Sequence, residues 1–168
     1  CGEALEFVLA TTEMSSVLPK GKSRMPNFGT DEGMWRYQAL LPKTDRKLVR
    51  QRVFMGEGGT PCLRARRIER DLGCREVWLK DETCNPTGSF KDRGTALGVA
   101  VLARLGFSAL GTVSTGNMAK SVAAYAARAG MEATIWVGAS TPVQKLAPVA
   151  VHGAVLLRID APYGEIYN

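Results

Sequence analysis

From residue 107 onward the chain alternates between short apolar runs and alanine-rich amphipathic stretches, and this alternation restricts the fold more than any other feature. Apolar runs at 110–114, 133–137 and 154–159 have the length of strands. Between them, 119–129 and 143–151 carry helical periodicity, closed by Gly130 and by His152-Gly153. Strand, helix, strand, helix, strand with short connections predicts right-handed βαβ units and a parallel sheet. The runs are almost continuously apolar, which predicts strands covered on both faces. The expected class is α/β, a parallel sheet with flanking helices.

Upstream of the alternation, Val77-Trp78-Leu79-Lys80 reads as a further strand, ended by Asp81-Glu82. The next segment, 85–94, reads NPTGSFKDRG. It places Lys91 just after a turn of small residues and at the start of an Ala/Val/Leu-rich helix reaching Gly106. The positive end of the helix macrodipole disfavours a further positive charge there, and partial burial favours the neutral amine. Such an amine can attack a carbonyl and form a Schiff base. Ser89 is the expected N-cap and Asp92 the expected first-turn carboxylate. Read alone, Lys91 fits an ordinary capped helix with a solvent-exposed lysine, as most lysines do.

A second loop, Ser114-Thr115-Gly116-Asn117, follows the first strand of the alternation. In open parallel sheets, active groups collect at the C-terminal strand ends, where helix N-termini present free amides to anions. The hydroxyls, the glycine and these amides suit a carboxylate cradle. A plain capping segment, with Asn117 satisfying its own helix, is the other reading of the tetrapeptide.

The string from Asn85 to Gly94 resembles the lysine motif of pyridoxal-phosphate enzymes of the tryptophan-synthase-β-like fold (fold type II), and among them that of the threonine synthases. An STGN-like loop after the lysine helix is similar to the asparagine loop of that family. GMWRY and LLP within 33–42, and GEGGTP at 56–61, are similar to its N-terminal arm and the turn after it. The resemblance implies a fold type II architecture, incomplete in this chain, with pyridoxal 5'-phosphate as cofactor and Lys91 as its covalent partner. It implies that Asn117 contacts the 3'-oxygen of the cofactor ring and that Ser114, Thr115 and nearby amides hold the substrate carboxylate. Met118 stands where some members carry threonine, so no hydroxyl contact is implied from there. The implied reaction converts O-phospho-L-homoserine and water to L-threonine and phosphate, with Lys91 also acting as general base. A threonine/serine dehydratase, a cysteate synthase or a non-catalytic relative that only binds a ligand remain alternatives at this stage.

Composition narrows the partners. The 168 residues are 45% hydrophobic and 23% charged, as in globular proteins, and no apolar run approaches a bilayer span. The net charge of +6 is scattered, with one denser stretch at 43–52 and no interleaved aromatic series. A solvated face explains it, and a mildly basic enzyme also suits an anionic cofactor and substrate, so nucleic acid is not expected. The resemblance implies a phosphorylated amino acid as the small-molecule substrate. No membrane partner is expected, and a homo-oligomer is left open. Cys1, Cys62, Cys74 and Cys84 have no paired spacing, so neither disulfides nor a metal site is expected, and a reducing cytoplasm is the default compartment. Cys1-Gly2 matches the end of a CxxCG knuckle, which one cysteine does not establish. Both chain ends read as cuts through a longer protein, and the resemblance implies that the phosphate loop and the ring-nitrogen partner lie beyond Asn168 and that the piece is inactive alone. The expected division is a lead-in at 1–28, an arm and lysine segment at 29–106, and a truncated βαβαβ unit at 107–168. Trp35 and Tyr37 are expected as anchors packing the arm on the core, Arg36 as a surface ion pair, and Lys80, Asp81 and Glu82 as an ion-pair cluster. His152 is expected to be a partner of a helix C-terminus.

Overall fold

A computed structural model describes residues 30–167; the lead-in and Cys1 lie outside the described residues. A kinked 3-10 segment, Thr30–Leu40, is followed by α1 (Arg46–Leu48), which continues as a π-helical turn at Val49–Val53. Strands β1 (Cys62–Arg64) and β2 (Trp78–Lys80) form an antiparallel pair around α2 (Arg66–Leu72). Then come α3 (Lys91–Arg104), β3 (Ala109–Val113), α4 (Asn117–Ala129), β4 (Glu132–Gly138), α5 (Val143–Ala150), β5 (Val155–Ile159) and α6 (Tyr163–Tyr167). The expected strand–helix alternation is present, with boundaries within two residues of those predicted. Strand order is β3-β4-β5 and both pairings are parallel, with Ala133 beside Leu110 and Leu156 beside Ile135.

Two apolar clusters hold the layers together. One joins Ile135 and Val137 of β4 to Ala119, Val122 and Ala123 of α4 and to Leu146 and Val149 of α5. The other packs Ala96, Val99 and Ala100 of α3 against Tyr125, Ala126 and Ala129 of α4, with Trp35, Val49 and Val53 from the N-terminal segments. Burial on both faces of the strands is not observed. Only β4 shows a buried set, and it alternates, while β3 and β5 have no buried residue. The physical reason is that α4 and α5 cover the same face. On the other, Leu157 is exposed and Trp136, half-buried, lies over Gly111, where a Cβ would stand 2.3 Å from its ring.

The arm is fastened by a close backbone approach. Met34 N donates to Glu57 O at 2.8 Å, and a Cβ on Gly58 would meet Met34 N at 2.3 Å. Trp35 is buried as expected, but Tyr37 is 44% exposed and does not anchor the arm. The indole of Trp35 reaches a polar partner inside, which the phenol of Tyr37 does not need at the surface.

Candidate active site

Lys91 opens α3 because the preceding turn ends one element and starts the next. Gly88 N donates to Asn85 O at 2.8 Å, and Gly88 adopts a φ of 83° that glycine tolerates. Asn85 ties this turn outward, accepting from Gly58 N at 3.0 Å and donating to Glu82. Ser89 Oγ accepts from Lys91 N at 3.2 Å. Phe90 directly precedes α3 but is itself already helical, with a φ of −62°, so the capping role falls to Ser89 as expected. Lys91 is half-buried, and its Nζ stands 4.7 Å from the ring centroid of the exposed Phe90.

Around the turn, charges are paired. The Arg93 guanidinium grips Glu82 at 2.7 and 2.9 Å, and Thr60 Oγ1 donates to the same carboxylate at 2.6 Å. Arg93 first, then the hydrogen bonds from Thr60 and Asn85, hold the Glu82 carboxyl down at about 2 against its ordinary 4.5. The expected cluster at 80–82 is therefore only partly ionic. Lys80 Nζ donates to the Thr60 carbonyl and Asp81 caps Thr83 N. Arg36 Nε donates to Gly33 O at 2.9 Å.

The second loop lies where β3 ends. Ser114 Oγ accepts from Gly116 N at 3.3 Å, bracing the loop from within. No side chain caps α4, so the amides of its first turn are available to an anion. Thr115, Gly116 and Asn117 line a cleft of about 400 Å³ with Lys120 of α4 and Lys145 of α5. Of the residues singled out from the sequence, Thr115 and Asn117 share this cleft, and Ser114 precedes them outside its lining. Lys91 is not in its lining but heads the neighbouring helix. The two helices meet near these ends, since Ser121 Oγ donates to Asp92 at 2.6 Å and Thr95 Oγ1 contacts Met118 Sδ at 3.7 Å.

Sequence reasoning missed the buried Glu57 and the partners of the buried Asp92. Glu57 accepts from Trp35 Nε1 at 2.5 Å, Tyr125 OH at 2.8 Å and Met55 N at 3.0 Å. Burial first, then the Glu57 carboxylate, pushes the Tyr125 hydroxyl well above its usual range. Asp92, expected to serve its own helix, instead accepts from Thr87 N, Thr87 Oγ1 and Ser121. A signal existed: Ser121 and Tyr125 are the interior polar groups of an alanine-rich helix, four residues apart and so on one face. His152 lies in the turn after α5 and donates from its backbone to Val149 O at 3.2 Å.

A half-buried amine at one helix start, beside an uncapped, hydroxyl-rich second helix start, is a donor set that fits an aldehyde bearing anionic groups. The chain is 35% identical over 166 residues to a protein named threonine synthase from Methanocaldococcus jannaschii, covering 98% of this chain and 39% of that protein. It is 42% identical over 114 residues to a threonine synthase of Mycobacterium leprae, covering 67% of this chain and 31% of that protein. The chain thus spans about two fifths or less of the length of these relatives. The fold matches a holo diaminopropionate ammonia lyase from Escherichia coli with a TM-score of 0.61 and 20% identity, over 74% of this chain and 39% of that one. The family described as pyridoxal-phosphate dependent enzyme matches residues 53–168, taking in both the lysine turn and the asparagine loop, and the chain belongs to that family.

Proposed function

We propose that the whole protein is a threonine synthase, releasing phosphate from O-phospho-L-homoserine and adding water to give L-threonine. One observation carries this reading: likeness to a protein of that name runs over 98% of the chain, through both loops of the site. Lys91 Nζ would hold pyridoxal phosphate, with Asn117 directed at its ring oxygen. Ser114, Thr115 and the first amides of α4 would bind the substrate carboxylate, an anion suited to a helix N-terminus. When bound, the cofactor supplies an electron sink for charge developing on the substrate carbons. With the cofactor bound, Lys91 Nζ would serve as the base that takes the proton from the α-carbon and then one from the β-carbon. Tethered on α3, it stays within reach for both transfers. Phosphate would leave from the γ-carbon and water add its hydroxyl at the β-carbon. The two protons taken by Lys91 would return to the α- and γ-carbons and the proton of water would go to phosphate, so the atoms of substrate and water are all accounted for in threonine and phosphate. Lys120 and Lys145 add positive charge to the cleft that suits a phosphorylated substrate.

The test is phosphate and threonine formation by the whole protein. Lys91→Ala should lower turnover by at least roughly 10²–10⁴-fold, the contribution of a positioned general base. Its circular dichroism should stay native, because alanine is a good helix former at this position. Ammonia release from serine or threonine without phosphate release from phosphohomoserine would replace the reading with a dehydratase.

A further inference from the structure

Asp92 has no part in the chemistry above, yet it is the most tightly bound side chain beside Lys91. It is 0% exposed. Its Oδ2 accepts from Thr87 N at 2.6 Å, and its Oδ1 accepts from Thr87 Oγ1 at 2.5 Å and from Ser121 Oγ at 2.6 Å. All three donors are neutral, so the arrangement is one of direction rather than of ion pairing. Thr87 belongs to the turn that delivers Lys91. Ser121 lies four residues after Asn117, one helical turn along the same face of α4. One carboxylate therefore spans the turn, the first turn of α3 and the asparagine helix.

The rest of the contact between the two helices cannot set their register equally well. Apart from the long, weak contact of Thr95 Oγ1 with Met118 Sδ at 3.7 Å, it is made of Ala96, Val99 and Ala100 against Tyr125, Ala126 and Ala129. Burial of such apolar groups is favourable but non-directional. Hydrogen bonds to a fixed carboxylate are directional, and a buried hydroxyl that leaves one has no water to turn to. Glu57 holds the same face of α4 one turn further along, through Tyr125, but it fastens that helix to the glycine-rich turn and the arm, not to the lysine segment.

We propose that Asp92 is a positioning residue that fixes the spacing between Lys91 and Asn117, by binding Thr87 on the lysine side and Ser121 on the asparagine side. The proposal rests on the assignment of Lys91 and Asn117 made above. Breaking the link at Ser121 should leave the lysine turn intact, because both Thr87 bonds remain, and should displace only the asparagine helix.

The experiment compares the whole wild-type protein with Ser121→Ala and Asp92→Asn. Each is incubated with pyridoxal phosphate, reduced with borohydride, digested, and analysed for the labelled peptide. The visible spectrum, the melting temperature, and kcat and KM for phosphohomoserine are recorded alongside. Ser121→Ala should trap the cofactor on Lys91 as fully as wild type. Its visible maximum should move, because Asn117 no longer meets the ring oxygen as before, and kcat should fall about tenfold with KM within about threefold. Asp92→Asn keeps shape and can bond all three groups if the two hydroxyls turn to accept, so it should retain kcat within a few-fold. A Ser121→Ala protein with wild-type spectrum and kcat overturns the proposal, and so does one whose only defect is a lower melting temperature. A wild-type protein that traps no cofactor on Lys91 has a different signature: it overturns the proposed function itself, and the positioning role with it.

Discussion

Glu82 shows how one residue ties the lysine turn to solution conditions. Its carboxyl is held at about 2, against an ordinary 4.5, chiefly by the Arg93 guanidinium 2.7 Å away. A group whose value is depressed on folding stabilises the fold above its unfolded value, and that contribution is lost as pH falls toward the folded one. Stability should therefore decline as pH drops from about 4.5 to about 2. Urea unfolding across that window, repeated with Arg93→Met, should show a shallower slope in the variant, because removing the guanidinium takes away the largest influence that lowers the Glu82 carboxyl. Equal slopes would mean that other carboxylates govern acid unfolding. At this same scale the sequence was only half legible. Lys91 could be placed at a helix start from its neighbours alone, because turn and cap chemistry is local. The distant partners of Asp92 and Glu57 could not, since Ser121 and Tyr125 lie 29 and 68 residues away and nothing local encodes which carboxylate they meet.

Among the elements, the glycines at the arm and in the lysine helix make opposite predictions from the same substitution. Gly58 has a φ of 85°, and a Cβ there would sit 2.3 Å from Met34 N. Gly58→Ala should cost at least about 1–2 kcal/mol from the left-handed backbone alone, and it should loosen the arm so that quenchers reach Trp35. Gly98 lies exposed within α3 and a Cβ there meets nothing within 4 Å. Gly98→Ala should raise stability by roughly 0.5–1 kcal/mol, as expected for alanine in a helix interior. Urea midpoints and acrylamide quenching of tryptophan fluorescence check both. Elements were the most legible scale, since β3 to β5 and their helices follow from periodicity and from Gly130 at a helix end. The shortfall was in coverage: apolar runs do not say that α4 and α5 lie on one face of the sheet, because both-face and one-face burial leave similar apolar composition in short strands. The helical character of Val49–Val53, a π-turn, also carries no distinctive residue pattern.

For the molecule as a whole, the described sheet has three strands in sequential order, so β3 and β5 each have one pairing edge without a partner among the described residues. Among the described residues, no helix is long and apolar enough to cross a membrane. The chain's packing is centred on α4, in which eight residues are buried. That helix is gripped through Ser121 and Tyr125 by carboxylates from two different parts of the chain, whereas α5 has two buried residues and an interior proline, Pro148. Deuterium uptake should register this difference as time. For backbone amides in the middle of α4 to exchange, both grips must release together with the apolar layer, so their rates should approach that of global unfolding. Those of α5 should exchange far sooner through local fraying, and a mass-spectrometric time course in which the two helices label in step would show that the carboxylate grips do not govern how the chain opens.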